Sequence, residues 1–267
     1  MTEPKVMRFS EEDRAAARTT LEQARAGEVV PIVILTDEEV TILDGLEHEQ
    51  LVPTPWLDAQ TGADRSLVGR VALRSLLARE LVVEAGAPSG GTVAITAHPG
   101  ITGPLVLRRS AREIVSVERT SSSGKHWVFA YVHHEGGGAV VLEEEIVAAG
   151  QHAFSVYPLE VLGERLEKFL DPTGAAGSGG EARTYDAPSL ERQAAGLPAL
   201  SEAVAVSIVS GVRRGRDELL SASVYSGPRG VHVLRGSRHG QDGEPVEYSL
   251  QEVDSRALRA LPAEMVA

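Results

Sequence analysis

An internal repeat constrains the fold of this chain more than any other feature of its sequence. At an offset of 91 residues, the C-terminal part matches the middle in apolar pattern and turn positions with almost no gap. The aligned residues are Tyr157 with Tyr248, Leu159 with Leu250, Arg165 with Arg256, Leu170 with Leu261, and Val115, Ser116 and Val117 with Val206, Ser207 and Ile208. Because a repeated unit usually needs its partner to complete a shared core, the repeat predicts two similar units packed together.

Each unit is predicted to contain four antiparallel strands and one helix. In the first unit the strands are Ala111–Thr120, His126–His134, Ala139–Val147 and His152–Tyr157, and the helix runs from Pro158 to Leu170. In the second unit the strands are Ala203–Val212, Leu219–Tyr225, Val231–Arg235 and Pro245–Leu250, and the helix runs from Gln251 to Leu261. Neither helix can cover its sheet alone. We therefore predict an α/β protein of the α+β type, with a quasi-two-fold antiparallel sheet built from two β4α units.

The segment before the repeat is predicted to form an N-terminal helical subdomain. Ser10 and Thr36 precede acidic residues in the pattern of a helix N-cap, and a further helix is predicted from Asp64 or Ser66 to Glu80. Two strands, Thr92–Thr96 and Leu105–Arg108, are predicted to follow as a hairpin. The predicted organisation is a helical subdomain at 1–110, the first β4α unit at 111–170, a linker at 171–188 and the second β4α unit at 189–267, integrated into one domain.

The predicted linker is the segment between the two units. Asp171–Pro188 is rich in glycine, alanine and serine, and such a segment offers little apolar surface to bury. We therefore predict an exposed and mobile loop, with Arg183 as the first site of limited proteolysis.

Composition narrows the classes of function. The formal net charge of −12 disfavours a protein whose main role is to bind nucleic acid, since phosphate contacts dominate such binding. The absence of cysteine excludes disulfides and thiolate metal sites. The N-terminus lacks the pattern of a secretory signal, and no apolar stretch approaches the roughly 20 residues of a membrane helix, so a cytoplasmic protein without membrane association is predicted.

The sequence contains no recognisable catalytic, metal or cofactor motif. His133 and His134 are neighbours in a predicted strand, so their side chains lie on opposite faces, and the other histidines are interpreted as surface or strand-end residues. Glu143, Glu144 and Glu145 alternate faces of a strand. They are predicted to line a solvated face or a sheet edge, with an acidic stripe of Glu143 and Glu145 for a basic partner as the alternative. We therefore predict no catalytic residue, no metal, no cofactor and no enzymatic activity.

Residues 36–108 also suggest a different function. Their predicted helix–helix–hairpin order resembles a winged helix, with Arg65, Arg70 and Arg74 on the second helix. Residues 1–90 contain sixteen acidic and nine basic residues, and this balance disfavours DNA binding. A winged-helix-containing transcriptional regulator or adaptor is kept as an alternative.

Several segments together resemble the EspG family of actinobacterial type VII (ESX) secretion. The helical segment DRSLVGRVALRSLLARELVVEAG resembles a helix of that family. The segments SAREIVSVERT, HWVFAYVHH, AVVLEEE and FSVYPLEVLGERLEKFL resemble its first sheet unit and following helix. The segments ASVYSGPRGVHVLR and PVEYSLQEVDSRALRAL resemble its closing hairpins and last helix.

This resemblance covers most of residues 36–261 and implies a function. It implies a cytosolic, non-enzymatic chaperone that holds a helical secretion substrate in soluble form, such as a PE–PPE or ESX-type protein. The family has no short motif, so no individual partner-binding residue is carried over. Besides the regulator, a homo-oligomeric interaction module, such as a homodimer, is the other alternative.

Overall fold

Backbone hydrogen bonding in the computed structural model forms twelve strands and nine α-helices within the described residues, which are 9–45, 50–85, 94–135, 138–214, 219–239 and 245–266. The elements up to residue 110 are α1 (Glu11–Leu21), β1 (Val30–Thr36), α2 (Asp37–Asp44), α3 (Pro55–Asp58), α4 (Arg65–Ala78), β2 (Val82–Ala85), β3 (Ala94–Ala97) and α5 (Pro99–Ser110). The next five are β4 (Glu113–Ser121), β5 (Gly124–Glu135), β6 (Gly138–Val147), β7 (Gln151–Pro158) and α6 (Leu162–Leu170). The last eight are β8 (Arg183–Asp186), α7 (Ala187–Gln193), α8 (Pro198–Ser201), β9 (Ala205–Arg213), β10 (Leu220–Gly227), β11 (Gly230–His239), β12 (Pro245–Val253) and α9 (Ser255–Val266).

The chain also divides into two compact units, called unit 1 and unit 2, whose boundaries differ from those of the two β4α repeat units. Unit 1 contains Met1–Ala111 and His133–Pro158, and unit 2 contains Arg112–Val132 and Leu159–Ala267. In unit 1 the strands β1, β7 and β6 lie side by side and antiparallel, and β2 and β3 form a separate hairpin. In unit 2 the antiparallel strand order is β5-β4-β9-β10-β11-β12-β8.

Local sequence chemistry fixes the starts of three helices in unit 1. Ser10 and Thr36 each form a capping box, with Asp13 and Glu39 respectively returning a hydrogen bond to the cap backbone. Asp64 caps α4 by accepting from the backbone N–H groups of Ser66 and Leu67. The predicted starts of these helices are confirmed, because the capping side chains satisfy N–H groups that have no partner inside the helix.

The predicted hairpin lies at other residues. The second predicted strand, Leu105–Arg108, belongs to helix α5. The first corresponds in part to β3, which pairs with β2. Its first residues, Thr92 and Val93, lie outside the described residues. The turn-like sequence Pro99-Gly100 begins α5, where proline is tolerated because its missing N–H would have no partner anyway. Pro104 lies inside the helix, so the local pattern that predicted a turn was overridden by packing.

Gly103 is the point at which α5 approaches α1. A Cβ atom at Gly103 would lie 2.6 Å from the backbone oxygen of Ala16 and would overlap the Thr20 hydroxyl. The α1 and α5 backbones are therefore in direct contact, and the glycine is what permits it.

We predict that Gly103→Ala lowers the free energy of unfolding by about 1–3 kcal/mol, because the added methyl group overpacks this contact. Helix propensity alone would give the opposite sign, since alanine is favoured over glycine by about 1 kcal/mol. Urea denaturation measures the change, and Gly196→Ala is the control, because a Cβ at Gly196 meets nothing within 4 Å. Equal stability of the two variants would contradict the close approach.

The two β4α units have the same order of elements. Their element orders are β4-β5-β6-β7-α6 and β9-β10-β11-β12-α9. Within unit 2 their first strands pair with each other, with Val117 opposite Val209. Their closing helices also contact each other, since a Cβ at Gly163 of α6 would lie 2.7 Å from the backbone oxygen of Arg259 in α9. The predicted α+β fold class with two β4α units is confirmed.

The sequence offset misplaces this repeat by one residue. It aligns Val117 with Ile208, yet Val117 is buried and Ile208 is 50% exposed. Val117 pairs directly with Val209, which is also buried and lies on the side of the sheet that α9 covers. Because side chains alternate along a strand, a one-residue slip moves every residue to the other face, so the correct counterpart of Val117 is Val209.

Part of the predicted linker is ordered by tertiary contacts. Arg183–Asp186 forms strand β8, which pairs with β12, with Tyr185 opposite Tyr248. Asp171 accepts hydrogen bonds from the backbone N–H groups of Ala175 and Ala176. The prediction of a loop is therefore wrong for residues 183–188, since Ala187 and Pro188 begin α7. The mobility of the segment stays a prediction.

Within the described residues, no helix is long and apolar enough to cross a membrane.

Candidate partner-binding surface

The sheet of unit 2 has one face that carries exposed apolar side chains. Along β9, Val209 points to the side covered by α9, and Ile208 and Val212 lie on the opposite side with 50% and 45% of their surface exposed. The residues on this side that concern us are Val206, Ile208 and Val212 of β9, Tyr225 of β10, Leu234 of β11 and Leu250 of β12, which we call the outer face. Ser210, Ser221 and Ser223 lie on the same side. A solvated strand face normally carries polar residues, so the exposed Ile208 and Val212 mark a candidate interaction surface.

The outer face leads into a groove at the far strands of unit 2. The groove has a volume of about 510 Å³ and is lined by residues that include Tyr185 of β8, His232 of β11, Leu250 of β12 and Leu197 beside α8. Tyr225 lies directly opposite His232 in the strand ladder, so the groove is continuous with the outer face.

Charged side chains also line this groove, namely Glu181, Arg183, Arg229 and Glu252. Burial lowers the pKa of His232, against the opposing influence of the Glu252 carboxylate, so the imidazole is neutral at pH 7. Arg229 lines the groove and forms an ion pair with Glu202 at 2.9 Å. The groove therefore offers an occupant both apolar and charged side chains.

The corresponding strands of unit 1 are covered by helices. With the one-residue correction, Leu142 of β6 is the counterpart of Leu234, and their ladder partners are Val156 and Leu250 respectively. Leu142 and Val156 have no exposed surface, and the side of β6 on which Leu142 lies is the side that α5 contacts. The same face of the repeat is thus buried at these residues in unit 1, whereas in unit 2 it is exposed at Ile208 and Val212 and is lined by Leu197, Pro198 and Ala199 where it forms the groove.

The helices of unit 1 are held to β6 and β7 by a buried ionic network. His152 of β7 lies between two carboxylates, with Nδ1 2.7 Å from Glu144 Oε1 and Nε2 2.8 Å from Asp37 Oδ1. Arg108 of α5 lies between Glu144 at 3.0 Å and Asp44 at 2.8 Å. We call Asp37, Asp44, Arg108, Arg109, Glu144 and His152 the buried network.

The buried network is charge-neutral only when His152 is protonated. Its three carboxylates face two guanidinium groups, since Arg109 also contacts Asp44 at 2.9 Å. Burial lowers the pKa of His152, but the hydrogen bonds to Asp37 and Glu144 outweigh burial and raise the pKa above its usual value of 6.5. The imidazolium therefore supplies the third positive charge.

The predictions for Glu143 and Glu144 are wrong, and His152 lies at the start of strand β7 but is buried. Glu143 and Glu144 are fully buried, because Glu143 accepts a hydrogen bond of 2.6 Å from the Tyr157 hydroxyl and Glu144 belongs to the buried network. They therefore cannot form a solvated face, a sheet edge or a stripe for a basic partner. His152 is likewise a buried structural residue and does not lie at the surface.

The remaining described histidine side chains have separate environments. His98 caps α5 by accepting from the backbone N–H of Gly100, and His126 accepts from Arg119 at 3.0 Å. Burial lowers the pKa of His133 to about 4, despite an opposing backbone hydrogen bond. Within the described part of the chain, no group of three or more histidine, aspartate or glutamate residues has the geometry to hold a metal ion.

In the alternative interpretation as a DNA-binding protein, the arginine-bearing second helix is α4. Arg65, Arg70 and Arg74 are exposed on it, so they have the accessibility that the interpretation requires. The helix–helix–hairpin order is present, but β1 pairs with β7 and is not part of the β2–β3 hairpin.

Comparisons with known proteins show similarity of fold alone. No protein-family model matches the chain, and no curated protein matches it in sequence. A similar solved structure is that of the Mycobacterium tuberculosis type VII secretion system chaperone EspG5 in complex with the PE25-PPE41 dimer. The TM-score is 0.54 at 8% sequence identity, over 88% of this chain and 95% of that chain. The chain therefore has an EspG-like fold.

The sequence analysis identified no partner-binding residue, although the apolar pattern of β9 could have indicated one. Val206, Ile208 and Val212 lie on one side of β9, and Ala205, Val209 and Gly211 lie on the other. Both sides are therefore mainly apolar, with Ser210 and Ser207 as the exceptions. A strand with that pattern is predicted to be covered on both faces. In the structure only one face of β9 is covered, and that difference identifies the outer face.

Proposed function

We propose that this protein is a non-enzymatic chaperone of the EspG type, which holds a helical secretion substrate in soluble form in the cytoplasm. The observation that carries the proposal is the shared fold, which extends over nearly all of the EspG5 chain. The PE25-PPE41 dimer bound by EspG5 suggests a partner of the same kind for this protein, a helical PE–PPE or ESX-type substrate. The net charge of −12 also favours a protein partner over nucleic acid.

The outer face and its groove are the surface we assign to the partner. In unit 1 the counterpart residues Leu142 and Val156 are buried on the side where α5 lies. The repeat therefore provides a face that accepts helices, and in unit 2 the part of this face along β9 is left exposed at Ile208 and Val212. A helical partner with an apolar tip would bury Ile208 and Val212 there, beside the groove that Leu250 lines. An interface of standard size buries about 1,200–2,000 Å² in total.

We predict that Ile208→Asp weakens binding of the partner by roughly 30-fold or more, since a buried charge at an interface centre costs about 2 kcal/mol or more. Val71→Asp is the matched control, because Val71 is an equally exposed apolar residue on α4. The affinity-tagged chain, its two variants and a native-host extract are used in a pull-down, and the captured protein is then produced and titrated by calorimetry. Binding should persist at high salt, because apolar burial drives it.

Two outcomes would contradict this function, and a third would contradict the surface assigned to it. Capture of DNA with steep salt dependence would support the regulator, and recovery of the chain alone as a dimer would support the homo-oligomeric module. A captured protein that binds wild type and Ile208→Asp with equal affinity would show that the outer face is not the binding surface.

A further inference from the structure

Helix α4 of unit 1 carries positive charge in a chain that is strongly acidic. Its 14 residues, Arg65–Ala78, include three arginines and no aspartate or glutamate, whereas the whole chain has a formal net charge of −12. The helix is about 20 Å long, since each residue contributes about 1.5 Å. The net charge of the chain disfavours a role of these arginines in DNA binding, and the proposed chaperone function does not use them.

The outward side of α4 also carries two large apolar side chains. Leu67 and Val71 are 53% and 57% exposed, and they are neighbours on the helix surface because they are four positions apart. Ala72 and Leu76 are buried and mark the inward side of the helix. Single exposed apolar residues are common on protein surfaces, but this pair forms a short apolar stripe along one side of α4.

A basic stripe runs beside the apolar stripe. Arg70 and Arg74 are also four positions apart, and both are exposed. Arg70 donates a hydrogen bond of 3.0 Å to the Ser66 hydroxyl, and within the described residues neither arginine forms an ion pair. By contrast, Arg79 just after α4 is held by the Glu39 carboxylate at 2.7 Å. The guanidinium groups of Arg70 and Arg74 are therefore available to carboxylates of a partner.

The two stripes define the chemistry of a complementary partner. A helix that packs along α4 would bury Leu67 and Val71 against apolar residues of its own at helical spacing. Aspartate or glutamate on the flank of that helix would face Arg70 and Arg74, and such opposite charges fix the register of an interface. A membrane surface fits less well, because helices that lie in the membrane interface bury a broad apolar face that includes aromatic residues.

We propose that Leu67, Arg70, Val71 and Arg74, which we call the α4 surface, dock an amphipathic helix with an acidic flank from a second protein. This protein differs from the helical substrate assigned to the outer face, so the chain acts as an adaptor between two partners. The α4 surface spans about two helical turns, and its interface is therefore smaller than the standard 1,200–2,000 Å². A transient complex with a Kd on the order of 10 µM is expected.

The test is a fluorescence anisotropy titration of the full chain into a labelled helical peptide of about 18 residues, a length at which an alanine-rich helix forms. The peptide has leucine on one face, glutamate on the flank and alanine elsewhere, and a second peptide has lysine in place of each glutamate. The glutamate peptide should bind saturably, and the lysine peptide should bind at least about tenfold more weakly. In the double variant Arg70→Glu, Arg74→Glu this preference should be reversed, because the charges on both sides are exchanged.

The apolar stripe is tested by Val71→Asp, which should weaken binding of the glutamate peptide by at least about tenfold, because a carboxylate would be buried there. Ile208→Asp in unit 2 is the matched control and should leave peptide binding unchanged. Val71→Asp should in turn leave binding of the helical substrate unchanged, so this proposal and the proposed function can fail separately. All of these changes are at exposed side chains, so the variants should remain folded, and a thermal unfolding scan verifies this.

Several results would overturn the proposal. These are equal binding of the glutamate and lysine peptides, binding that Val71→Asp leaves unchanged, and no binding of the glutamate peptide at about 1 mM of the chain. Vesicles that contain phosphatidylserine and a DNA duplex are titrated in parallel. Binding to either that depends on Arg70 and Arg74, without binding of the glutamate peptide, would assign these arginines to a lipid surface or to nucleic acid and contradict the helical partner.

Discussion

Replacing Arg108 by methionine is expected to lower the free energy of unfolding by about 3–5 kcal/mol, because it leaves two buried carboxylates without their shared cation. Arg108 has no exposed side-chain surface and contacts both Asp44 and Glu144. Methionine has a similar length and is compatible with a helix, so the change removes the charge more than the packing. Urea denaturation with a two-state fit measures the loss, provided that different probes give coincident transitions.

The matched control for this substitution is Arg70→Met on α4. Arg70 is exposed and its hydrogen bond to Ser66 lies at the surface, so the change should stay within about 0.5 kcal/mol. Arg108→Lys keeps the charge and should cost less than Arg108→Met, because the ammonium group cannot contact both carboxylates in the same way. If Arg108→Met were no more harmful than Arg70→Met, the buried network would not stabilise unit 1.

Stability is expected to fall as the pH rises above the ordinary histidine value of 6.5, because of His152. The pKa of this imidazole is raised in the folded protein, so the folded state holds a proton that the unfolded state has lost. The stabilisation is fully present below the unfolded pKa and disappears as the pH rises through the folded pKa. The expected slope between these two values is about 1.4 kcal/mol per pH unit.

The groups that face His152 determine this sign. Asp37 and Glu144 contact the ring directly, while Arg108 and Asp44 complete the network. The variant His152→Gln should be less stable than wild type below neutral pH and should lack most of the decline above pH 6.5. Free energies of unfolding are measured across this range at constant ionic strength. Parallel profiles for the two proteins would show that His152 is not the titrating group.

The features that local chemistry determines could be predicted from the sequence. Ser10 and Thr36 are followed by acidic residues that complete a capping box, and the structure has helices at both sites. The β4α repeat was also predictable, because apolar alternation and turn positions recur in order. Its register was not, because Val117 can be aligned with Ile208 or Val209 with little difference in sequence pattern, and only strand pairing selects Val209.

Features that depend on tertiary contacts could not be predicted. Gly103-Pro104 is typical of a turn, yet it lies within α5 because Gly103 permits contact with α1. Because Leu105–Arg108 was predicted as a strand of a hairpin, no contact between Arg108 and Glu144 could be predicted. The buried network was therefore missed. Arg183–Asp186 lacks a strand pattern and is a strand because it pairs with β12.

The most direct test of the proposed function is thiol labelling at the outer face in the presence of the partner. The chain has no cysteine, so Ile208→Cys and Val71→Cys each introduce a single reactive thiol at an exposed site. Saturation with the captured helical partner should nearly abolish alkylation at position 208 and leave the rate at position 71 unchanged. Equal labelling at position 208 with and without the partner, or protection at position 71 alone, would contradict the assignment of the outer face as the chaperone surface.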